Sequence, residues 1–118
     1  MKIIYNKLIP FDGFTAINLF GVLFVKKEKD GSNPFLPEYI INHESIHTEQ
    51  IKELGYVFFY IWYFIEWIIN WLRCRDSILA YYAISFEIEA YENQYKKYYL
   101  STRKRYSWLK YYRNNNNQ

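Results

Sequence analysis

Residues 37–55, PEYIINHESIHTEQIKELG, combine the start and stop signals of one helix with both histidines of the chain. Proline suits the first turn of a helix, an acidic residue there favours the positive end of the helix dipole, and glycine often ends a helix. The stretch therefore predicts a helix that carries Tyr39 to Leu54. Inside it, His43 and His47 are four residues apart, so both imidazoles lie on one helix face.

The segment from His43 to His47 has the HExxH pattern. Two neutral imidazoles can share one zinc ion, and a catalytic zinc site has three protein ligands and leaves a position for water. Glu44 lies about 100° around the helix from His43. We expect it to reach that water as general base and to pass the proton to the leaving amine. The alternative is two helix histidines, the only ones in the chain, without a ligand.

A third ligand has to come from another part of the chain. The single cysteine, Cys74, is isolated, which leaves the downstream carboxylates Glu66, Asp76, Glu87, Glu89 and Glu92. Glu87 is favoured because it shares a helix face with Ala80, Ala83 and Ala90, and a stripe of small residues lets two helices approach closely. Glu89 lies about 200° away on the same helix. We expect it to be a solvated charge or to make a minor supporting contact.

The whole chain predicts an α+β fold that is mainly α. Two β-prone runs, residues 14–17 and 22–25, predict an N-terminal hairpin or small antiparallel sheet. Three or four helices follow: the metal-binding helix, an aromatic helix over residues 56–73, a third over residues 77–99 capped by Asp76, and a short fourth from Ser101. The metal site is predicted between the first and third helices. Residues 1–113 form a single predicted domain, and residues 114–118 a disordered tail.

His43-Glu44-x-x-His47 followed by Glu87-x-x-Ala90 resembles the gluzincin zinc peptidases, in particular the short minigluzincin type. The resemblance implies a zincin-like fold and one Zn²⁺ per chain. It implies His43, His47 and Glu87 as zinc ligands and Glu44 as general base. It also implies that a strand of the hairpin pairs with a peptide or protein substrate in extended conformation.

In one position the chain departs from that family pattern. Where the family has an aspartate four residues after the glutamate ligand, this sequence has Tyr91. We expect the Tyr91 hydroxyl to accept the hydrogen bond of a ligating histidine in place of the aspartate. Tyr91 and Tyr106 are also the candidates for stabilising the transition state.

The aromatic helix, from Tyr56 to Leu72, is at the short limit of a membrane span. If it crossed a bilayer, the helices before and after it would lie on opposite sides, and His43 and Glu87 could not share a metal ion. We therefore expect it to form part of the core, with peripheral membrane contact still open. The low cysteine content and the absence of a signal-like apolar run near the N-terminus favour a cytoplasmic protein.

The charges divide the chain into an acidic body and a basic end. Residues 96–118 carry seven Lys or Arg and no Asp or Glu, whereas residues 1–95 carry eight against twelve. Such a segment can bind nucleic acid or an anionic membrane. The favoured interpretation is an amphipathic helix docked on the body, and no nucleic-acid partner is expected.

The sequence thus predicts a zinc-dependent metallopeptidase, a hydrolase of peptide bonds. Two alternatives remain: a zinc-binding protein without hydrolytic activity, and an adaptor that binds a membrane or nucleic acid through its basic C-terminal segment. The intact Glu44 favours the peptidase over a metal-binding protein that lacks activity.

Overall fold

The computed structural model describes residues 1–10 and 14–116 and shows an α+β fold in which a small sheet precedes the helices. Helices make up about 53% of it, which confirms the mainly α prediction. The strands are β1 (Lys2–Asn6), β2 (Ala16–Leu19) and β3 (Val22–Lys26). The helices are α1 (Glu38–Glu53), α2 (Val57–Cys74), α3 (Ser77–Tyr82), α4 (Ser85–Asn93), α5 (Tyr99–Thr102) and α6 (Trp108–Asn116).

The sheet has the order β1-β3-β2. Strands β2 and β3 form the predicted hairpin around Phe20 and Gly21, whose φ angles of 54° and 89° suit a two-residue turn. Strand β1 pairs with β3 in parallel, so the sheet is mixed and not purely antiparallel as predicted. No local pattern indicated this pairing, because β1 and β3 are not consecutive strands in the chain. Within the described residues, β2 is an edge strand.

Helix α1 lies against the edge strand of the sheet. The side-chain amide of Asn18 in β2 donates to the carbonyl of Glu44 at 3.0 Å and to the Thr48 hydroxyl at 3.1 Å. Near the C-terminal end of α1, Ile51 joins a core cluster with Phe59, Ile84, Phe86 and Trp108. These contacts fix α1 between the sheet and the later helices, within one residue of its predicted bounds.

Helix α2 buries its polar side. Of its apolar side chains only Phe59 is fully buried, and the other two buried residues are Glu66 and Asn70. The Glu66 carboxylate accepts hydrogen bonds from the backbone N–H and the hydroxyl of Ser85 at 2.7 and 2.8 Å. The amide of Asn70 donates to the Ala80 carbonyl at 3.2 Å. The prediction of a core helix therefore holds for only one face of α2.

The predicted third helix is in fact two helices. Asp76 caps α3 as predicted, accepting from the backbone N–H groups of Ile78 and Leu79 at 2.9 Å each. Helix α3 ends at Tyr82, and Ile84 is extended, with ψ of 131°. The buried Glu66 carboxylate binds the first N–H of α4, which a continuous helix would use internally. Helix α4 then ends at Asn93, short of the predicted residue 99.

The C-terminal segment docks on the body through α6. Trp108 is buried and packs on Phe86, with ring centroids 4.8 Å apart. The predicted fourth helix is again two elements, because Arg103 is extended between α5 and α6. Residues 114–116 of the predicted disordered tail form the end of α6, and residues 117–118 lie outside the described residues.

No helix in the described ranges combines the length and the apolar character that crossing a membrane requires.

Candidate metal centre

His43, His47 and Glu87 bring three ligand atoms together between α1 and α4. The two Nε2 atoms are 3.1 Å apart, and Glu87 Oε1 lies 3.2 Å from His43 Nε2 and 3.1 Å from His47 Nε2. All three side chains are buried, at 8%, 7% and 4% exposure. The residues are placed to bind a metal ion, so the predicted convergence of α1 and the downstream glutamate is confirmed.

Two glutamines fix the protonation of the imidazole rings. His47 Nδ1 lies 2.8 Å from Gln50 Oε1, and His43 Nδ1 lies 2.9 Å from Gln94 Oε1. Gln50 Nε2 donates to the Phe86 carbonyl at 3.1 Å, so its oxygen has to be the atom that faces His47. An oxygen acceptor requires a proton on Nδ1, which leaves the lone pair of Nε2 directed at the centre of the site. The two Nε2 lone pairs and the Glu87 carboxylate would repel one another at these distances. A cation or a shared proton between them removes the repulsion.

In the metal-free site, the pKa values of His47 and Glu87 indicate that a proton on the imidazole takes the place of the cation. Burial by itself would lower the pKa of His47, but the charge and hydrogen bond of Glu87 raise it to about 9. Burial would raise the pKa of Glu87, but the neighbouring imidazoles and Tyr63 hold it well below its usual range. The metal-free site at neutral pH therefore contains a carboxylate and a protonated imidazole, and a metal ion has to displace that proton.

Tyr63 of α2 holds the second oxygen of Glu87. Its hydroxyl donates to Glu87 Oε2 at 2.7 Å. Burial and the negative charge of Glu87 raise the pKa of Tyr63, so the phenol keeps its proton. Because Oε2 is occupied by this bond, Glu87 presents only Oε1 towards the histidines.

The three residues line a cleft that follows strand β2. One cavity of about 260 Å³ is lined by Ala16, Ile17, Asn18, His43, Glu44, His47, Ile51, Phe59, Tyr60, Tyr63, Tyr81 and Glu87. A second cavity of about 310 Å³ shares Ala16, His43, Glu44 and Tyr81 with the first. Glu44, which lies between the two ligands in sequence, therefore faces the same space as the ligand atoms and is not one of them.

The structure corrects the roles predicted for two tyrosines. The ring of Tyr91 packs on His43 with centroids 4.5 Å apart, but its hydroxyl lies 2.9 Å from the hydroxyl of Tyr81. Gln94, one turn further along, bonds the imidazole instead. Tyr106 lies at the other end of α1, where its backbone N–H donates to Glu53 at 2.8 Å. Tyr106 is therefore not placed to stabilise a transition state in the cleft.

Glu89 points away from the metal ligands, as predicted, but it is not solvated. It is fully buried and forms an ion pair with Arg103, which also pairs with Glu53 at 2.8 Å. The Tyr99 hydroxyl donates to the same carboxylate at 2.6 Å. The prediction that Glu89 is solvated or makes only a minor contact was wrong, because Tyr99 and Arg103 cover this face of α4.

Sequence reasoning missed Gln50, Gln94 and Tyr63. A signal existed for the glutamines: Gln50 follows His47 by three residues, and Gln94 follows Glu87 by seven, so each lies near the helix face that carries a ligand. Fourteen tyrosines gave no way to select Tyr63.

Comparison of the chain with protein-family models, with curated proteins and with solved structures found no match. Its function is therefore inferred from the residues of this site.

Proposed function

We propose that this protein is a zinc-dependent metallopeptidase of gluzincin type, with one Zn²⁺ held by His43, His47 and Glu87. The observation that carries the proposal is the triangle of ligand atoms, with sides of 3.1, 3.1 and 3.2 Å. Zinc bonds to nitrogen and oxygen ligands of about 2.0–2.1 Å give a tetrahedron with edges of about 3.3 Å. Two imidazoles and one carboxylate are also the ligand set of a well-known class of catalytic zinc sites, which keep the fourth position open.

Zinc in this position would polarise a substrate carbonyl and lower the pKa of water. The general base would be Glu44, whose side chain lines both cavities beside the ligands. Its carboxylate would accept the proton from the attacking water and deliver it to the leaving amine. Tyr63 would keep Glu87 in a geometry that offers a single oxygen, which helps to leave a coordination position for the reaction.

The edge of β2 supports a substrate in extended conformation. The backbone N–H of Lys26 donates to the Thr15 carbonyl at 2.8 Å. Because hydrogen-bonded and outward-facing residues alternate along an antiparallel strand, Ala16 directs its N–H and C=O away from β3. Ala16 also lines both cavities. A peptide backbone added to this edge would lie directly over the metal ligands, and this geometry supports a peptide or protein substrate.

The test combines metal analysis with hydrolysis of a mixed library of fluorogenic peptides. The wild type should contain close to one zinc per chain and cleave part of the library. The Glu44→Gln variant should keep its zinc and its fold but lose hydrolysis, since it removes the base and no ligand. Glu49→Gln, at an acidic position on the same helix whose side chain is about half exposed, is the matched control and should remain active.

Two results would overturn the proposal. An active Glu44→Gln variant would exclude Glu44 as the base. A zinc-loaded wild type that cleaves no member of the library would leave a zinc-binding protein without hydrolytic activity.

A further inference from the structure

The exposed side of α2 is an uninterrupted apolar surface. Eight large apolar side chains lie on it, each 36–61% exposed: Val57, Phe58, Ile61, Phe64, Ile65, Ile69, Trp71 and Leu72. At about 100° per residue they fall within an arc of about 160°. No polar or charged residue of α2 falls within that arc. The helix is therefore polar towards the protein and apolar towards its surroundings, the reverse of an ordinary surface helix.

Helix α3 lies beside α2 but not on this face. The bonds that join the two helices come from Trp67 Nε1, which donates to the Ser77 carbonyl at 3.1 Å, and from the Asn70 amide, and both residues fall outside the arc. The eight residues of α2 alone are called here the apolar platform. Contiguous exposure of eight large apolar side chains marks an interaction site and is not ordinary surface.

The charged residues around the platform indicate which kind of partner binds to it. Arg73 and Arg75 stand at the C-terminal end of α2, with the Arg75 guanidinium 5.3 Å from the ring centre of Trp71. Along one flank of α2, α6 packs against Trp62 through Trp108, with ring centroids 6.5 Å apart, and carries the exposed Lys110.

Acidic groups are nearly absent from the rim. In the described part of α2, α3, α6 and the turn that joins α2 to α3, the acidic residues are the buried Glu66 and the capping Asp76. A second copy on the platform would bring two such basic rims together. Anionic lipid head groups would instead neutralise the rim while the apolar side chains enter the interface.

We propose that the apolar platform docks the protein on anionic membrane surfaces, with α2 lying in the plane of the interface. The proposal is independent of the peptidase activity. A flat orientation follows because α1 precedes α2 and α4 comes after it, and these two helices meet at the metal centre and so lie on one side. Phe59 and Tyr63, which line the cleft, are about 160° around α2 from the middle of the platform. The docked protein therefore keeps its cleft open to water.

The test is flotation of the purified full-length protein with vesicles of phosphatidylcholine alone or mixed with phosphatidylglycerol. The wild type should bind the anionic vesicles more strongly, and salt should weaken the binding. The double variant Ile61→Gln/Phe64→Gln should lower the partition coefficient roughly tenfold or more, because two large side chains no longer enter the interface. The matched control is Leu8→Gln/Phe35→Gln, which removes two apolar side chains that are 85% and 86% exposed elsewhere and should bind as the wild type does.

Zinc content and circular dichroism of each variant show whether the fold is intact, and Ile65→Gln/Leu72→Gln repeats the test at independent positions. Absence of vesicle binding would overturn the proposal, as would equal losses in platform and control variants. Binding to neutral vesicles as strong as to anionic ones would also contradict it. A concentration-dependent dimer that the platform substitutions abolish, without vesicle binding, would assign the surface to a second copy of the chain.

Discussion

Gln50 Nε2 donates a hydrogen bond to Glu89 Oε1 at 3.0 Å, and this bond joins the metal centre to a buried ion pair. The carboxamide oxygen of the same glutamine faces His47 Nδ1 at 2.8 Å. Glu89 in turn pairs with Arg103, which lies between α5 and α6. The orientation of one ligand imidazole therefore depends on contacts made by the C-terminal segment, through a single glutamine side chain.

Gln50→Leu should weaken zinc binding roughly tenfold to a hundredfold, because it removes the acceptor that holds the His47 tautomer. The measurement is competition with a chelator of known zinc affinity. The matched control is Glu49→Leu, at a half-exposed position on the same helix, which should bind zinc as the wild type does. Unchanged affinity in the Gln50 variant would show that the hydrogen bond does not orient the imidazole.

Glu87→Ala should affect zinc binding, whereas Glu89→Ala should affect the stability of the fold. The first removes a ligand and should lose zinc during dialysis against a weak chelator. The second removes a buried partner of Arg103 and should lower the free energy of unfolding by about 3 kcal/mol or more. The measurement is denaturant unfolding of both variants in the metal-free state, together with zinc retention. If the Glu89 variant lost zinc while remaining stable and the Glu87 variant kept it, the assignment of the third ligand would be reversed.

Tyr63→Phe should lower zinc affinity roughly tenfold, because Glu87 loses the hydrogen bond that fixes its carboxylate. Tyr60→Phe is the matched control: it removes a phenol from the same helix and cleft, but that hydroxyl bonds the backbone N–H of Phe20 at 2.7 Å. Zinc affinities of the two variants, measured by the same chelator competition, should differ. Equal affinities would leave Tyr63 without a role at the metal.

Zinc binding should release close to one proton at pH 7.5, because the pKa of His47 in the metal-free protein is raised to about 9. Apparent affinity should then rise about tenfold per pH unit between pH 7 and 9 and level off above that. The metal-free fold should show the opposite trend: protonated His47 stabilises it in full below about pH 6.5, and this stabilisation is lost as the pH rises through 9. Calorimetry in two buffers of different ionisation enthalpy counts the protons, and a count of zero would contradict the assignment.

The ligand face of α1 could be predicted because it depends only on helical periodicity, which relates His43 to His47 directly. The structure places Glu87, and not Glu89, beside the two histidines, although one of the arguments for selecting Glu87 was wrong. Ala80 and Glu87 belong to different helices, so they do not share the face of one continuous helix. The selection held because α4 contains Glu87 and Ala90 together, and both are buried.

The burial of Glu89 and the exposed apolar side of α2 could not be predicted, because both depend on contacts between residues far apart in the sequence. The burial of Glu89 requires Arg103 to return to α4, and no local pattern reports that. The apolar side chains of α2 indicated a core helix on hydrophobicity alone. Their exposure follows from the hydrogen bonds of Glu66 to Ser85 and of Asn70 to Ala80, which turn the polar side of α2 towards the protein.

The break at Ile84 separates the length of α3 from the geometry of the metal site. In a continuous helix, one inserted residue before the break would turn Glu87 by about 100° and remove it from the histidines. Here the Glu66 carboxylate fixes the start of α4 directly. A change of length between Asp76 and Ala83 would therefore disturb the packing of the buried Ala80 but would not by itself turn Glu87 away from the histidines.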